Sequence, residues 1–372
     1  MVTAAALAVA ATAMACGKAA KPAGSPTQAA ASGLRAACGP KLVLQTDWFP
    51  EPEHGGSYQL IGAAGRVDKA KGSYTGQIGR TGVELEIRAG GPFAGNQSVT
   101  SLMYQDPSIF MGYVPTDEAV EQSGKLPTVS VFTLLDQSPL ALIWDPSKYH
   151  FTSLADIGRS GAKVLYFEGS TFMAYLVGRG ILRRDQIDGS YDGSPSRFVA
   201  ERGAVVQEAF ATNEPYKYEH DVPQWGKPVS FALLGQSGYQ PYPENIAVRP
   251  QALRTKRACL RALVPLMQRA QADYVRDPGP VNQTLLSIVR TLASSWTLSP
   301  GGVADAVTKM RDLKVVANGT DGALGSLDMA RLQRMLDLLK PIYASERITT
   351  VAPGLRPQDM ATDEFIDRRI RL

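Results

Sequence analysis

Four side chains that could hold a small ligand lie within residues 47–58. Trp48 offers a flat apolar face, while Glu53, His54 and Tyr58 carry groups that donate or accept hydrogen bonds. Such a set suits a small polar or anionic aromatic molecule. For His54, capping of a helix N-terminus is an alternative to a ligand contact. A surface turn, marked by prolines and glycines, is the alternative for the whole segment.

The elements on either side decide where these side chains would lie. An alternating pattern over residues 41–45 predicts a short strand, and a helix pattern follows the segment. Open α/β sheets bind ligands where the carboxyl end of a strand meets the amino end of the next helix. Gly55 and Gly56 would let a ligand approach the backbone there, and the helix N-terminus would add free N–H groups.

Three further motifs follow the W-x-P-x-x-x-H-x-G-x-Y pattern of residues 48–58. They are Gly-Gly-Pro at 90–92, Met-Gly-Tyr at 111–113 before an acidic helix, and Phe-Ala-Thr-Asn-Glu-Pro-Tyr at 210–216. In this order the motifs resemble the substrate-binding proteins of the nitrate, taurine, aliphatic-sulfonate and thiamine-precursor ABC importer family. The resemblance implies an α/β, two-lobed periplasmic-binding-protein fold of type II, whose two crossover strands form a hinge that closes over a small molecule. It also implies an ABC permease and ATPase as partners.

One relative in that family is an enzyme that builds the thiamine pyrimidine from its own histidine and a lysine-bound pyridoxal phosphate. At the places that resemble its lysine and histidine, this chain has Val114 and Glu118, and it lacks the enzyme's cysteine cluster. Common hydrolase, nucleotide-binding and zinc-protease motifs are also missing from the sequence. We therefore predict a binding protein without catalytic residues or a cofactor.

Composition and charge narrow the class further. The 372 residues leave room for two domains, and the formal net charge of +4 is spread thinly, so nucleic acid is not an expected partner. The three histidines, His54, His150 and His220, are far apart in the chain, which predicts no metal site. We expect a monomer.

The N-terminus indicates export. Residues 1–15 are an apolar run typical of a signal peptide, and the small residues before Cys16 resemble a bacterial lipobox, which predicts a lipidated Cys16 and attachment to the outer face of the membrane. Residues 16–40 look like a flexible tether. Cys38 and Cys259 remain as an even pair, for which a disulfide is predicted and two buried thiols are the alternative.

The pattern of elements predicts the two lobes. Residues 41–138 and 248–372 should form lobe 1, and residues 139–247 should form lobe 2. Strands are predicted at 41–45, 83–88, 129–135, 140–144, 164–167, 205–210, 229–233 and 246–249. Helices are predicted at 172–183, 252–276, 281–296, 302–313 and 327–345. The glycine-rich part of residues 62–82 should be a loop or a short hairpin.

Other candidate ligand contacts lie at or near the predicted strand ends. Glu168 opens a second strand-to-helix turn with Ser and Thr after it, which suits an anion. Asn213 and Glu214 could donate to and accept from the edge of an aminopyrimidine. Tyr113, Tyr239 and Tyr242 could stack on a ring, whereas Phe167 and Phe172 are expected in the lobe core.

These residues favour a small nitrogen heterocycle, such as a thiamine pyrimidine precursor or a flavin, as the ligand. A nitrate-type or sulfonate-type anion is the alternative, although acidic residues such as Glu53 and Glu214 would repel it. A thiamine-synthesis enzyme and a ligand sensor without a transporter are the other functions that we consider.

Overall fold

The fold was analysed in a computed structural model, which describes residue 1 and residues 33–168 and 170–372. The predicted signal peptide after Met1, the lipidated Cys16 and most of the predicted tether lie outside the described residues. The tether was expected to reach residue 40, but residues 33–38 are helical and Leu34 is buried in the core. Leu34 and Cys38 are four residues apart, so one helix face buries both side chains.

The first of two sheets has seven strands in the order β2-β3-β4-β1-β5-β12-β6. The strands are β1 (Lys41–Gln45), β2 (Arg66–Asp68), β3 (Ser73–Gln77), β4 (Glu84–Arg88), β5 (Met111–Tyr113), β6 (Val129–Thr133) and β12 (Asn245–Val248). β1 pairs in parallel with β4 and β5, whereas β12 runs antiparallel to β5 and β6. β2 and β3 form an antiparallel hairpin within residues 62–82, where the sequence predicts a loop or a short hairpin.

The second sheet has five strands in the order β11-β7-β10-β8-β9. They are β7 (Leu140–Trp144), β8 (Val164–Leu165), β9 (Ile187–Asp188), β10 (Val206–Phe210) and β11 (Ser230–Leu233). β8 pairs in parallel with β9 and β10, and β7 runs antiparallel to β10 and β11. Each sheet is covered by helices and has its own hydrophobic core, so the chain forms two lobes.

Helices cover both sheets. The α-helices are Gly55–Gln59, Val99–Gln105, Thr116–Glu121, Leu154–Ser160, Phe172–Gly178, Ser196–Ala200, Glu214–Tyr216, Pro250–Thr255, Arg257–Arg276, Gly279–Leu292, Pro300–Asp312, Met329–Ser345 and Pro357–Met360. Short 3₁₀ helices are Pro52–His54, Gly62–Ala64, Gly91–Ala94 and Leu234–Ser237, and Lys217–Asp221 is a π-helix.

The last long helix differs from the predicted lobe assignment. Residues 248–372 were expected to complete lobe 1, but the apolar stripe of helix Met329–Ser345 packs into the core of lobe 2. Its Ile342 lies against Gly178 of helix Phe172–Gly178, where an added Cβ would come within 3.0 Å of the Ile342 side chain. The C-terminal segment therefore contributes to both lobes.

Within the described residues, the chain passes between the two sheets twice, over residues 134–139 and 234–244. The two crossings contact each other, because the Leu134 N–H donates to the Glu244 carbonyl oxygen at 3.0 Å. Arg331 ties both crossings to the last long helix. Its guanidinium donates to the Gln240 carbonyl oxygen at 2.8 Å and pairs with Asp136 at 3.4 Å. These crossings are at the place where the resemblance implies a hinge.

Cys38 and Cys259, which the sequence analysis pairs, form a disulfide with their Cα atoms 4.6 Å apart. Cys38 precedes β1 and Cys259 lies in helix Arg257–Arg276, so the bond joins the start of lobe 1 to its C-terminal half. Both cysteines are buried in the core of lobe 1.

Candidate functional site

A cleft of about 320 Å³ lies between the lobes. Lobe 1 contributes the ends of β1 and β4 and the start of helix Thr116–Glu121. Lobe 2 contributes the segment after β8 and the end of β10. The predicted ligand residues that line the cleft are Trp48, Asn213, Glu214 and Tyr239.

Tyr58 and Tyr113 do not reach the cleft. Both are fully buried in the core of lobe 1, and the Tyr113 hydroxyl donates to the Ser57 hydroxyl at 2.7 Å. The helical segment begins with a 3₁₀ turn at Pro52–His54. The residues after this turn face the interior of lobe 1 rather than the cleft.

The two glycines of the predicted site serve packing instead of ligand approach. A Cβ on Gly55 would lie 2.2 Å from the Tyr274 ring, and a Cβ on Gly56 would lie 1.8 Å from Oε1 of Gln271. Both partners belong to helix Arg257–Arg276. The pair therefore lets two helices approach closely, and neither glycine lines the cleft.

Glu53 and His54 lie beneath the cleft rather than in its wall. The Thr212 hydroxyl of lobe 2 donates to the Glu53 carboxyl, which makes Glu53 a contact between the lobes. Burial raises the pKa of Glu53, and the Thr212 hydrogen bond opposes this rise. His54 is fully buried beside three other carboxylates, Asp47, Glu51 and Glu244.

Glu168 and Tyr242 are also away from the cleft. Glu168 lines a neighbouring cavity with Tyr166 and Arg184. Tyr242 is buried, its hydroxyl accepts the Asp328 N–H at 2.8 Å, and the Arg331 guanidinium lies 3.8 Å from its ring centroid. Tyr242 thus supports the second crossing instead of a ligand.

The turn after Glu168 was expected to bind an anion through a Ser/Thr helix cap. Thr171 stands at that cap position, but its side chain makes no cap hydrogen bond and donates to the Asp117 carboxylate of lobe 1. The Ser170 hydroxyl donates to Glu208 at 2.9 Å. Carboxylates of the protein thus use the donors that an anionic ligand would need.

One wall of the cleft is aromatic. Trp48 lies edge-on to Phe167 and to Trp296, with ring centroids 5.6 Å and 6.2 Å apart. Trp296 stacks on Phe49, and its indole N–H donates to the Pro50 carbonyl oxygen at 3.2 Å. Phe167, expected in the lobe core, therefore helps to form the cleft.

Gly91 is what allows Trp48 to occupy this position. Its φ of +58° lies in the left-handed region, and an added Cβ would come within 2.5 Å of the Trp48 ring. Gly90, its neighbour in the predicted Gly-Gly-Pro motif, lies against the backbone of Thr46 and Asp47, where a Cβ would be 2.1 Å from the Thr46 carbonyl oxygen. Both glycines are required for close approach.

Acidic residues are numerous among the other residues that line the cleft. Six carboxylate residues line it, namely Asp47, Glu51, Asp117, Glu118, Glu208 and Glu214. Lysine, arginine and histidine are absent from the described lining residues. Lys217 lies nearby, with its ammonium 4.6 Å from the centroid of the Trp296 ring.

Asp117 and Glu118 begin helix Thr116–Glu121. The hydroxyls of Tyr239 and Thr171 both donate to Asp117, so this carboxylate joins the two lobes. Glu118 accepts the Thr100 N–H at 2.9 Å. Burial raises the pKa of Glu118 to about 7, so the group titrates near neutral pH.

Glu208 and Glu214 face the cleft from lobe 2. Glu208 accepts the Phe167 N–H at 2.6 Å, and burial raises the pKa of its carboxyl to about 7. Glu214 accepts the Phe210 N–H at 2.7 Å. Burial raises the pKa of Glu214, although the positive charge of Lys217 opposes this rise.

The sequence analysis missed most of this acidic lining. Asp47 and Glu51 lie within residues 47–58, the segment that was selected from the sequence. Their position beside Trp48 and Glu53 could therefore have indicated them. Glu208 lies in β10, and only the direction of its side chain distinguishes it from a solvent-exposed strand residue. Trp296 lies in the connection after helix Gly279–Leu292, where no local pattern indicates a cleft residue.

Solved structures of several known proteins share this fold. One is the alkanesulfonate-binding protein SsuA of Xanthomonas axonopodis pv. citri bound to MOPS, at 11% identity and a TM-score of 0.54 over 87% of this chain and 98% of that one. Another is the zinc-bound ligand-binding component of an ABC-type import system of Staphylococcus aureus, at 10% identity and a TM-score of 0.53 over 88% and 99%.

A third is the Candida albicans CA3427 gene product, described as having the generic periplasmic binding protein fold, at 12% identity and a TM-score of 0.50 over 85% and 97%. No protein-family model and no curated protein sequence matches this chain. The predicted fold class is confirmed: the chain has the two-lobed α/β periplasmic-binding-protein fold, which components of ABC importers share. Within the described residues, no helix is long and apolar enough to cross a membrane.

Proposed function

We propose that this chain is the extracytoplasmic substrate-binding protein of an ABC importer, and that it delivers a small organic cation or amino-substituted nitrogen heterocycle to a permease and ATPase. The fold and the cleft between the lobes support the binding role. The signal-like N-terminus and the disulfide support export to an oxidising compartment. A thiamine pyrimidine precursor is the heterocycle that the sequence analysis favours.

The acidic lining of the cleft is the observation on which the proposed ligand class rests. Six carboxylate residues and no described cationic residue line a space whose other wall is aromatic. A protonated or amino-bearing ring would donate to the carboxylates and lie against Trp48, which also attracts cations. A ligand of this kind would use both the aromatic wall and the acidic groups of the cleft.

An anionic ligand is disfavoured by the same charges. A sulfonate or nitrate needs Arg, Lys or free N–H donors, but the Phe167 and Phe210 N–H groups already donate to Glu208 and Glu214. SsuA is described as an alkanesulfonate-binding protein, yet at 11% identity only the fold can be compared. A flavin would use the aromatic wall but leave the carboxylates without a positive partner.

Catalysis is the less favoured alternative. Val114 is fully buried in a small core with Val43 and Val99, and Glu118 lines the cleft as a carboxylate. Neither residue can supply the lysine and histidine chemistry of the thiamine-pyrimidine enzyme. We propose binding without turnover, by a monomer.

Calorimetry with a panel of aminopyrimidines, thiamine, riboflavin, nitrate and alkanesulfonates tests the ligand class. We expect an amino-bearing or cationic heterocycle to bind and the anions not to bind. Glu214→Gln should weaken that binding roughly tenfold because a partly buried charge pair is lost. Glu168→Gln, which changes a carboxyl outside the cleft, is the matched control and should bind as the wild type does. Binding of an alkanesulfonate, strengthened by Glu214→Gln, would reverse the assignment.

The anchor has its own test. The lipobox-like sequence before Cys16 predicts that the mature chain begins at Cys16 and carries lipid, which would hold the protein at the outer face of the membrane. Mass spectrometry of the protein from its native membrane should find lipid on Cys16. An unmodified N-terminal peptide that includes Cys16 would show that the protein is released rather than anchored.

A further inference from the structure

His54 has an environment that hydrogen bonding within the protein does not explain. Its side chain is fully buried, and neither ring nitrogen has a hydrogen-bond partner. The Nε2 atom lies 3.2 Å from Oδ1 of Asp47, 3.4 Å from Oε1 of Glu51 and 3.7 Å from Oε1 of Glu244. Three carboxylates thus converge on one imidazole nitrogen without satisfying it.

Among the described residues, the three carboxylates have no possible positive partner other than His54. The Glu244 side chain is 1% exposed, and both of its carboxyl oxygens are without a hydrogen-bond partner. In the part of the chain that the structure describes, the ion pairs of Asp47, Glu51 and Glu244 all go to His54. One imidazole cannot balance three carboxylates, and buried charges without partners are strongly destabilising.

We propose that Asp47, His54 and Glu244 bind one divalent cation beside Glu51, and that this cation is Zn²⁺. The potential ligand atoms of Asp47, His54 and Glu244 lie within 4.8 Å of one another. Bond lengths of about 2.0–2.1 Å place the corners of a zinc coordination tetrahedron roughly 3.3 Å apart. The distances from His54 Nε2 to Asp47 and to Glu244, 3.2 and 3.7 Å, are close to this spacing, and a small movement of the two carboxylates would complete the site.

The donor set favours zinc over the harder cations. A buried imidazole nitrogen is a poor ligand for Ca²⁺ or Mg²⁺, which prefer all-oxygen sites. Zn²⁺ accepts a mixture of histidine and carboxylate ligands. The Tyr113 ring lies edge-on to His54, with centroids 4.9 Å apart, and holds the imidazole in place.

The position of the site indicates a resident ion rather than transported cargo. His54 and Glu244 are 0% and 1% exposed, so an ion bound to them could not leave without local opening. Asp47 and Glu51 follow β1 of lobe 1, while Glu244 ends the second crossing between the lobes. The ion would therefore connect the floor of the cleft to the hinge.

The sequence analysis predicted no metal site because the three histidines are far apart. The proposed ligands include only one histidine, and Glu244 is far from the other two ligands in the sequence. The ligands of such a site have no characteristic spacing in the sequence. They come together only because the second crossing lies beside the end of β1 in the fold. The zinc test needs no organic ligand, but Asp47 and Glu51 also line the cleft, so a cation bound here would reduce the negative charge that the organic ligand meets.

Zinc binding by the full chain tests the proposal without any organic ligand. The purified protein is treated with a chelator, dialysed, titrated with Zn²⁺ and assayed for bound metal by elemental mass spectrometry. We expect one equivalent of zinc at micromolar concentration. His54→Asn and Glu244→Gln should each weaken binding by more than about a hundredfold, beyond the usual effect of losing an outer-shell partner.

His220→Asn is the matched control, because His220 pairs with Glu219 at 4.0 Å on the surface and should not affect zinc binding. Where Glu244→Gln fails to fold, as judged by circular dichroism, Asp47→Asn at a 31% exposed side chain replaces it. Absence of zinc from folded wild-type protein would overturn the proposal. So would zinc that stays bound in both His54→Asn and a folded carboxylate variant, or that depends on His220.

Discussion

The ring of Trp48 in lobe 1 meets the ring of Phe167 in lobe 2 edge to face, with centroids 5.6 Å apart. Trp48 follows β1 and Phe167 follows β8, so the contact joins the carboxyl ends of strands from the two sheets. The contact therefore spans the cleft between the lobes. Trp48 thus has two roles, a wall of the cleft and a contact between the lobes.

The first prediction concerns Trp48→Ala. Removing the indole deletes the aromatic wall and the contact to Phe167, so affinity for an aromatic ligand should fall by about 1–3 kcal/mol, or roughly five- to 150-fold. Isothermal calorimetry with the best heterocycle of the panel measures the change. Phe231→Ala, at an exposed aromatic residue of β11, is the control and should leave affinity unchanged. Equal affinities for Trp48→Ala and wild type would show that the aromatic wall does not contact the ligand.

Gly91 allows the position of Trp48 to be tested without changing the tryptophan. Gly91→Ala places a Cβ 2.5 Å from the Trp48 ring at a φ of +58°, so the indole must move. We expect weaker ligand binding and a shift in tryptophan fluorescence. Gly95→Ala is the matched control, because Gly95 in the same turn has a φ of +66° and open space around it.

The comparison separates backbone strain from the contact with Trp48. Both alanines carry the cost of a left-handed backbone, about 1 kcal/mol, but only Gly91→Ala displaces the ring. Equal ligand affinities in the two variants would mean that Gly91 is required for its backbone conformation alone.

Much of the fold was predictable because strands and helices follow local patterns. The alternation of residues 41–45 predicts β1 with its observed bounds, and the glycines of residues 62–82 predict the hairpin. The side chains of the site were less predictable. Trp48 and Tyr58 are both aromatic residues near the end of β1, yet one lines the cleft and the other lies in the core.

The cause is the geometry of the turn between them. Gly55 and Gly56 bring the segment against Tyr274 and Gln271, and this contact between distant parts of the chain turns Tyr58 inward. No local pattern contains that information. The acidic lining also results from contacts between distant parts of the chain, because Glu118 and Glu208 come from different lobes.

The pH dependence of stability should report the burial of Glu208. Its pKa in the unfolded chain is near the ordinary value of 4.5, whereas burial raises the pKa in the folded protein to about 7. As pH rises from 5 to 7.5, the unfolded state loses its proton first, so the free energy of unfolding falls. Glu208→Gln lacks this penalty and should be more stable than wild type at pH 8 by up to about 3 kcal/mol, with a smaller gain at pH 5.

Urea unfolding of both proteins at pH 5, 6.5 and 8 measures this difference. Glu168→Gln, at an exposed carboxyl, is the control and should change stability by the same small amount at each pH. The same titration affects the ligand: a cationic heterocycle should bind more tightly at pH 8 than at pH 6, because the ionised form of Glu208 attracts it. A stability gain of Glu208→Gln that does not grow with pH would contradict the raised pKa.

The last prediction concerns the bond between Cys38 and Cys259, which closes a loop of 221 residues. In the chain-entropy model a loop of this length stabilises the folded state by about 5 kcal/mol, so the variant Cys38→Ser with Cys259→Ser should unfold at a clearly lower urea concentration. Leu34→Ala, which removes core contact from the same helical turn but keeps the disulfide, separates the bond from packing. Thiol labelling of the wild type in denaturant without reductant, followed by peptide mapping, should leave Cys38 and Cys259 unlabelled, and labelling of both would refute the bond.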